Sequence, residues 1–338
     1  MFKYYASKKE YWQKHNLWLF VCGCFCVDKI ICCFIISNNM INKYQEFFKE
    51  KFPNATLDYI GSGVRNHAFE LNKKQILRVP KNLINNRFAT EVAVLEYIQD
   101  ALYNINIPKL SFYHEDNIPY TIHDKLCGNK WNYNQFAAFS KPEQQNFISS
   151  LVTFTCAMHE FTDDCVMGIS APLNYSYWPK ISYDYMVNHF DCYLLPDEIE
   201  RLHSDYCNFS TRHKTEDFSP LRVLLHGDLS CDNILLSSDK SVHAVYGFSN
   251  TKLGEIELEF VPLFRPETKG LLSKVLREYE MRTMIELDME RIAQLTIAEC
   301  VPQLARQIFY IEHGSRDFTY VKELLHRIRY AQSFINNR

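Results

Sequence analysis

The chain has little net charge, no internal repeat and no low-complexity segment. Its 37 basic and 40 acidic residues leave a formal net charge of −3. This balance gives no electrostatic reason to expect nucleic acid or an anionic membrane surface as a partner, while a cationic small molecule stays open. At 338 residues, 47% hydrophobic and 23% charged, the chain is large enough for two packed lobes.

Metal-type cysteine pairs are missing from most of the chain. Seven of the 12 cysteines stand singly between Cys127 and Cys300, without the paired spacing of zinc ligands. We interpret these seven as reduced, mostly buried thiols of a cytoplasmic protein. The other five lie in the first 39 residues, at Cys22, Cys24, Cys26, Cys32 and Cys33.

Residues 1–39 form an apolar, cysteine-rich extension that has several interpretations. The run Leu17–Ile36 has the length of a membrane span, but Asp28 and Lys29 place two charges at its centre. Basic residues precede the run as in a secretory signal, yet no small-residue cleavage site follows it. The extension is either a membrane anchor or a segment upstream of a true start at Met40, and zinc or disulfide chemistry at its cysteines is a third interpretation. A membrane partner is expected only if residues 17–36 act as an anchor.

After Met40 the pattern predicts a helix at Tyr44–Phe52 and then a small sheet with one further helix. Polar turns separate five short strand patterns, at Leu57–Ile60, Ala68–Leu71, Ile76–Val79, Lys109–Tyr113 and Tyr120–Leu126. Between the third and fourth strands, Arg87–Asp100 has helical spacing. Its predicted buried face carries Phe88, Val92, Leu95 and Ile98.

From Asn134 onward the pattern changes to long helices. These are predicted at Lys141–Phe161, Leu271–Glu280, Met284–Glu299, Pro302–Ile311 and Tyr320–Asn336. Strand patterns return only at Arg222–Leu225, Ile234–Leu236 and His243–Tyr246, and the last two form a hairpin. The second lobe is therefore mainly helical.

The densest polar motif of the chain is His226-Gly227-Asp228-Leu229, followed by Asn233 and the strand Ile234–Leu236. Phosphoryl transfer needs a group that orients the attacking hydroxyl and accepts its proton, and an oxygen ligand for the magnesium that bridges the phosphates. Asp228 can serve as the catalytic residue and Asn233 as the metal ligand. His226 would support the loop by hydrogen bonding.

This motif resembles the catalytic loop of the aminoglycoside phosphotransferase and choline kinase-like family, whose features recur in order over roughly Met40 to Arg338. The resemblance implies an α+β, two-lobed protein-kinase-like fold, with a small N-terminal antiparallel sheet lobe with one helix and a larger, mainly helical C-terminal lobe. It implies a nucleotide-binding lobe at 40–128 and a catalytic and acceptor-binding lobe at 129–338. The implied reaction transfers the terminal phosphate of ATP or GTP, with Mg²⁺, to a hydroxyl of an amino sugar or similar small alcohol.

The resemblance also implies nucleotide-binding residues in the first lobe. Gly61 and Gly63 fall where the family's glycine-rich turn covers the phosphates, since glycine permits close backbone approach. Arg78 lies on the third strand, where the family has a phosphate-binding lysine or arginine, and Glu91 would orient it. A plain hairpin, and a solvated arginine with a surface glutamate, are the alternatives.

Two other segments resemble the family without implying catalysis. Tyr120–Gly128 is similar to the strand, hinge and glycine between the lobes, whose backbone groups would meet the nucleobase. Met158-His159 resembles the family's Leu-His pair, and we interpret His159 as a structural histidine of the core.

The family pattern breaks at Gly247, where a metal-binding aspartate is expected. Glycine offers no ligand, and losing one weakens metal binding and the stabilisation of the transferring phosphate. Strong loss of activity is expected unless Asn233 alone holds the metal or another carboxylate reaches it, the candidates being Asp232, Glu255 and Glu257. Two functions follow, an impaired small-molecule kinase or a catalytically degenerate kinase-like binding protein.

The sequence leaves the acceptor open among choline, an aminoglycoside, a sugar and homoserine. In the family, cationic acceptors are held by carboxylates of the helical lobe. Candidates here are Asp184, Asp191, Asp197, Glu198 and Glu200. A solvated acidic face is the alternative interpretation of each.

Overall fold

The computed structural model describes residues 40–63, 65–81, 87–102, 104–162, 181–215, 222–312 and 318–335. The chain divides into two compact units, Met1–Asn54 and Ala55–Arg338. In the first unit the described residues form helix α1 at 40–51, which begins about one turn before the predicted start at Tyr44. The extension at 1–39, with its five cysteines and the apolar run, lies outside the described residues.

The second unit opens with a five-stranded antiparallel sheet in the order β1-β2-β3-β5-β4. The strands are β1 Leu57–Ser62, β2 Asn66–Leu71, β3 Gln75–Pro80, β4 Ser111–Glu115 and β5 Ile118–Asp124. All five lie where strand patterns predicted them, although β4 begins only after Lys109 and Leu110. The predicted sheet lobe is therefore confirmed.

The polar turns of the sheet adopt left-handed backbone angles. Asp116 and Asn117, with φ of 48° and 62°, form the two-residue turn between β4 and β5. Positive φ at both central residues matches the turn to the twist of the strands, and Asn and Asp tolerate it better than most residues. Asn72 and Lys73 take similar angles between β2 and β3.

Helix α2, Phe88–Ile98, packs against β4 and β5. The prediction that Val92 belongs to its buried face was wrong, because Val94 is buried there instead. Glu91 is also buried on that face. A polar residue that turns inward shifts the face away from the one that hydrophobic spacing alone selects.

The rest of the unit is mainly helical, as predicted. The helices are α3 Tyr133–Phe136, α4 Lys141–His159, α5 Tyr183–Phe190, α6 Pro196–Thr215, α7 Lys269–Thr283, α8 Met289–Glu312 and α9 Thr319–Ile335. A capping box formed by Ser140 and Glu143 starts α4, which packs against α7. These helices carry much of the hydrophobic core.

The two helices predicted at Met284–Glu299 and Pro302–Ile311 form the single helix α8, so this prediction was wrong. Pro302 lies inside α8 although proline removes one backbone hydrogen bond. Val301 and Leu304, on either side of it, are fully buried. The continuous apolar face therefore outweighs the lost bond.

The start of α8 also differs from the prediction. Met284 has a φ of 59° and ends α7, with its backbone N–H bonded to the carbonyl of Glu280 at 2.8 Å. The next helix begins after Asp288, whose side chain accepts a hydrogen bond from the backbone N–H of Glu290 at 2.8 Å.

Two short antiparallel pairs of strands position the polar motif. β6, Arg222–Leu225, pairs with β9, Lys252–Glu255, and β7, Ile234–Leu236, pairs with β8, Val242–Val245. The polar motif lies between β6 and β7, and Gly247 lies between β8 and β9. Adjacent strand ends therefore bring these two segments together.

Six of the seven single cysteines lie among the described residues, and each is free of a disulfide there. Only Cys300 is buried, whereas Cys127 and Cys192 are exposed and the other three are half-buried. The prediction that these thiols are mostly buried was therefore wrong.

Candidate active site

The loop that begins at His226 leads from β6 through a 3-10 turn, Cys231–Asn233, into β7. Gly227 has a φ of +78°, and a Cβ added there would lie 2.6 Å from the carbonyl oxygen of Asn250. The loop therefore requires glycine at this position, both for the backbone angle and for the close approach of the two segments.

His226 is fully buried and ties the loop to the segment after β8. Its Nδ1 accepts a hydrogen bond from the backbone N–H of Asp228 at 3.3 Å, and its Nε2 donates to the carbonyl of Tyr246 at 3.0 Å. These partners assign the neutral tautomer that carries its proton on Nε2. The Phe248 ring packs nearly edge-on against the imidazole, with 4.6 Å between the ring centroids.

A residue that sequence reasoning missed, Glu259, anchors the loop directly. Its carboxylate accepts hydrogen bonds from the backbone N–H groups of His226 at 2.7 Å and Gly227 at 3.2 Å, and the residue is 1% exposed. Glu259 lies in the mostly apolar 3-10 segment Ile256–Leu263. An acidic residue among buried apolar neighbours is the signal that could have identified it.

His159 and Tyr279 complete the surroundings of Glu259. His159 Nε2 lies 3.6 Å from Glu259 Oε2, and His159 Nδ1 lies 2.8 Å from the hydroxyl of Tyr279. Burial by itself raises the pKa of Glu259, but the neighbouring His159 and the hydrogen bond from the His226 backbone hold that pKa below its ordinary value. His159 thus lies in the core, behind the loop.

Asp228 and Asn233 meet at the end of the loop. The side-chain Nδ2 of Asn233 donates to the carbonyl oxygen and to Oδ2 of Asp228, both at 2.9 Å. Asp228 is half-buried, and its Oδ1 has no hydrogen-bond partner among the residues that the structure describes. One carboxylate oxygen is therefore fixed while the other stays available to a hydroxyl group.

Arg78 and Glu91 form the second polar group of the site. Their side chains make two parallel hydrogen bonds, Nη1 to Oε1 and Nη2 to Oε2, each 3.0 Å long. Arg78 Nε also donates to the hydroxyl of Thr121 at 3.3 Å. The side chain of Glu91 is 2% exposed and that of Arg78 is 14% exposed, so this is a largely buried, fork-like ion pair rather than a solvated one.

Gly61 lies in line with this pair across the sheet. Direct partners on neighbouring strands are Gly61 with Ala68, Ala68 with Arg78, and Arg78 with Thr121. Gly61 has a φ of +141° at an irregularity of β1, and a Cβ there or on Gly63 would meet nothing within 4 Å. Gly63 lies further on, where its N–H donates to the carbonyl of Asn66 at 2.9 Å.

The segment between the lobes pairs with the hairpin that follows the loop. Asn129 and Leu236 exchange two backbone hydrogen bonds of 2.8 and 2.9 Å. Gly128 has a φ of +138°, and a Cβ there would lie 2.7 Å from the Cβ of Leu235. The glycine expected between the lobes therefore allows this close contact.

His123, near the end of β5, stays neutral at physiological pH. Its Nδ1 lies 2.9 Å from the carbonyl oxygen of Asp124. Burial, and to a lesser extent the charge of Arg78, lowers the pKa of His123 to about 4. Because its partner is an acceptor, Nδ1 carries the proton and Nε2 is an acceptor.

Gly247 lies directly against Asn233. Its φ of +89° is left-handed, and a Cβ there would overlap Oδ1 of Asn233 and lie 2.7 Å from its Cγ. The Asn233 side chain therefore occupies the space that a side chain at position 247 would need.

The oxygen ligands around Gly247 do not fit a magnesium site. Among the residues that the structure describes, no group of three or more His, Cys, Asp or Glu side chains could hold a metal ion. Asn233 offers one amide oxygen, while its Nδ2 donates a hydrogen bond to Oδ2 of Asp228. Mg²⁺ in proteins is held through one or two carboxylates and nucleotide phosphates, and the carboxylate is missing here.

Of the three proposed substitute ligands, one is engaged elsewhere, one is exposed, and in the third burial disfavours the ionised form. Glu255 is 1% exposed and pairs with Arg291 through contacts of 2.7 and 2.9 Å. Burial raises the pKa of Glu257, with smaller influences from Glu255 and Arg291. Asp232 is exposed, one residue before Asn233.

Most of the candidate acceptor carboxylates lie at the surface. Four of them, Asp184, Asp191, Asp197 and Glu200, are exposed. Glu198 is the exception, since it pairs with Arg329 at 2.9 Å and accepts a hydrogen bond from the backbone N–H of Leu195 at 2.9 Å. The bond from Arg329, followed by that from Leu195, lowers the pKa of Glu198.

Sequence reasoning also missed two arginines that flank the site. Arg87 precedes α2, and its Nη2 donates to the carbonyl of Thr251 at 3.2 Å, in the segment that follows Gly247. Arg65 lies in the turn between β1 and β2, and its carbonyl accepts a hydrogen bond from the N–H of Lys81 at 2.8 Å. No sequence motif links them, because they come together only through the fold.

A family model described as "Phosphotransferase enzyme family" matches residues 56–295 of the chain. None of the helices in the described part of the chain is long and apolar enough to cross a membrane.

Solved structures of aminoglycoside phosphotransferases resemble the chain in fold. The GDP complex of wild-type aminoglycoside 2'-phosphotransferase-IIIa has a TM-score of 0.66 at 17% identity, over 86% of this chain and 98% of that one. The GDP and kanamycin complex of APH(2'')-IIIa has a TM-score of 0.64 at 17% identity, over 88% and 99%. A thermostable mutant of APH(4)-Ia, in a ternary complex with AMP-PNP and hygromycin B, has a TM-score of 0.59 at 16% identity, over 86% and 99%.

Proposed function

Because the chain belongs to the phosphotransferase enzyme family, we propose that it is a small-molecule kinase, impaired by Gly247, that transfers the terminal phosphate of ATP or GTP to a hydroxyl of an amino sugar or similar small alcohol. The solved structures of similar fold contain GDP or AMP-PNP, and two also contain kanamycin or hygromycin B. On that ground we propose that this chain also binds a nucleotide and a hydroxyl-bearing acceptor.

The observation that carries the proposal is the geometry of Asp228. Asn233 fixes one carboxylate oxygen at 2.9 Å, and the loop is held from behind by the buried Glu259. A carboxylate that is oriented by a neighbour and open on one side suits a group that positions a hydroxyl and accepts its proton.

In the proposed reaction, Asp228 orients the acceptor hydroxyl toward the terminal phosphate. The hydroxyl oxygen forms a bond to phosphorus, the bond from phosphorus to the bridging oxygen breaks, and the nucleoside diphosphate leaves with that oxygen. The hydroxyl proton passes to Asp228. The loop contacts of His226 and Glu259 keep the carboxylate in place during this step.

We assign nucleotide binding to the sheet lobe, proposed at 40–128, and acceptor binding to the helical lobe, proposed at 129–338. Arg78, held by Glu91, would contact the phosphates, and the turn that contains Gly61 and Gly63 would cover them. Magnesium is the family's expected partner, but because the ligands around Gly247 do not fit it, no step of the proposed reaction depends on it. We propose a cytoplasmic location and, for the acceptor, a cationic character.

A second function, binding of a nucleotide or metabolite without turnover, is favoured by Gly247 itself. Asn233 fills the space beside it, so the described residues supply no replacement for the missing carboxylate. Loss of the metal-held stabilisation would leave binding intact and slow the chemical step.

The test is phosphate transfer from ATP and GTP to a panel of aminoglycosides, choline, homoserine and sugars. We expect slow transfer that Asp228→Ala abolishes. Glu286→Ala removes an exposed carboxylate outside the site and serves as the control, which should keep the activity. Nucleotide binding without transfer to any acceptor would favour the second function, and equal activity of the Asp228→Ala variant would contradict the role of Asp228.

A further inference from the structure

The cations beside the candidate phosphate site differ in how their charges are balanced. Arg78 is balanced by Glu91 through two hydrogen bonds of 3.0 Å. Arg65, Lys81 and Arg87 make no ion pair with a carboxylate in the part of the chain that the structure describes. Three positive charges are therefore left near a site that lacks the family's metal-binding carboxylate.

Contacts of the backbone and side chains bring these cations to the site. Arg87 bonds to the carbonyl of Thr251 at 3.2 Å, and α2, which follows it, contacts the turn Phe248–Asn250 after Gly247. Arg65 ends the turn that contains Gly63, and its carbonyl holds Lys81 through a bond of 2.8 Å. The cations thus flank both the glycine turn and the Gly247 segment.

The charge of Arg87 also acts on Arg65. Partial removal of water from the Arg65 guanidinium, followed by the charge of Arg87 and a smaller effect of Arg306, lowers the pKa of Arg65, while Glu91 opposes this effect. Glu91 is already paired with Arg78, so the repulsion between the two arginines is only partly offset, and an anion that joins them relieves it.

We propose that this chain binds the phosphates of its nucleotide through Arg65 and Arg87 without a divalent metal ion. The inference rests on the proposed nucleotide site and adds how the charge of the phosphates is balanced there. In a site with a metal-binding aspartate, the cation that meets the phosphates is held by carboxylates. Here the carboxylate is replaced by Gly247 and the positive charge is built into the protein, so an added metal ion has neither a ligand set nor a need to enter.

The experiment is calorimetric titration of the full chain with ATP and GTP, once in excess EDTA and once in magnesium. We expect the same dissociation constant in both conditions. Arg65→Ala and Arg87→Ala should each weaken binding in EDTA roughly tenfold or more, the usual loss for a charge-assisted hydrogen bond to phosphate. Arg277→Ala, which removes an exposed arginine of α7, is the matched control and should bind as the unaltered chain does.

Two further measurements separate binding from folding. Arg87→Lys keeps the charge at this position and should recover part of the affinity, and thermal unfolding of each variant should show that it folds. Tripolyphosphate in EDTA should compete with the nucleotide, because the arginines recognise phosphate rather than the base.

Each outcome distinguishes the inference from the proposed function. Binding that occurs only in magnesium, or arginine variants that bind as tightly as Arg277→Ala, would overturn metal-free binding while leaving the kinase proposal in place. Failure to bind either nucleotide in both conditions would overturn the proposed nucleotide function, and this inference with it.

Discussion

Two parts of the candidate site differ in how many side chains form them. We call the Arg78 and Glu91 pair on the sheet side the complete corner, and Asn233 with Gly247 on the helical side the incomplete corner. On the sheet side, Arg78 and Glu91 form a complete pair with two bonds of 3.0 Å. On the helical side, Asn233 lies against Gly247, which has no side chain that could bond to it. The complete corner therefore contains two interacting side chains, and the incomplete corner contains one.

This difference shows what holds the incomplete corner together. The N–H of Tyr246 bonds to the carbonyl of Asn233 at 3.0 Å, and the carbonyl of Tyr246 accepts a hydrogen bond from His226 at 3.0 Å. Arg87 fixes the carbonyl of Thr251 on the far side. These contacts are all made to the backbone of the segment, so the fold does not require a side chain at Gly247.

The largest effect on stability is expected from breaking the complete corner. Glu91→Gln leaves the largely buried Arg78 without its counter-charge and should lower the free energy of unfolding by about 3 kcal/mol. Denaturant unfolding measures this change. Glu198→Gln breaks a pair with the half-exposed Arg329 and should cost under about 1 kcal/mol. Equal losses in the two variants would show that the Arg78 pair is no stronger than a surface one.

Removal of the buried charge behind the loop should have the next largest effect. Glu259→Gln replaces a carboxylate that accepts two backbone hydrogen bonds, and we expect a loss of about 2 kcal/mol. Glu286→Gln, at an exposed position of the same lobe, is the control and should change little. If both variants unfold alike, Glu259 does not anchor the loop.

Acidification should act on the same carboxylate. The pKa of Glu259 is below its ordinary value in the folded chain, so its ionised form contributes stability above the pKa of the unfolded state. That contribution is lost as the pH falls through the lowered pKa. Over this acid range the free energy of unfolding should therefore fall more steeply with decreasing pH for the unaltered chain than for Glu259→Gln. Parallel curves of this free energy against pH would contradict the assignment.

Filling the incomplete corner should cost less. Gly247→Ala places a Cβ at a φ of +89° and against the amide of Asn233, for an expected loss of about 1–2 kcal/mol. Gly270→Ala, in helix α7 with nothing within 4 Å of the added Cβ, should instead stabilise by about 0.5–1 kcal/mol. The double variant Gly247→Ala with Asn233→Ala should recover part of the loss. Additive losses would show that the two residues do not compete for space.

The sequence could predict the elements whose signals are local. Strand alternation and turn residues such as Asn117 identify the sheet. The spacing of Asp228 and Asn233 identifies the loop, and in the structure these two side chains are in contact. Arg78 and Glu91 were predicted as partners from the family resemblance, and the structure joins their side chains.

What the sequence could not predict depends on contacts between distant segments. Glu259 lies 33 positions after His226 yet bonds to its backbone. The residues next to Glu259 in the sequence do not indicate that partner. Arg87 and Thr251 meet from different lobes. Pro302 was predicted to begin a separate helix because local backbone preference was the only information, whereas packing on both sides keeps the helix continuous.

The measurement that tests the central claim most directly is phosphate transfer by Gly247→Asp in magnesium, alone and combined with Asp228→Ala. Aspartate tolerates left-handed φ better than most residues, so its main obstacle is the Asn233 amide, which must rotate. We predict that Gly247→Asp transfers phosphate faster than the unaltered chain and that adding Asp228→Ala removes the gain. A Gly247→Asp variant that folds but transfers no faster, or a gain that survives Asp228→Ala, would contradict the account.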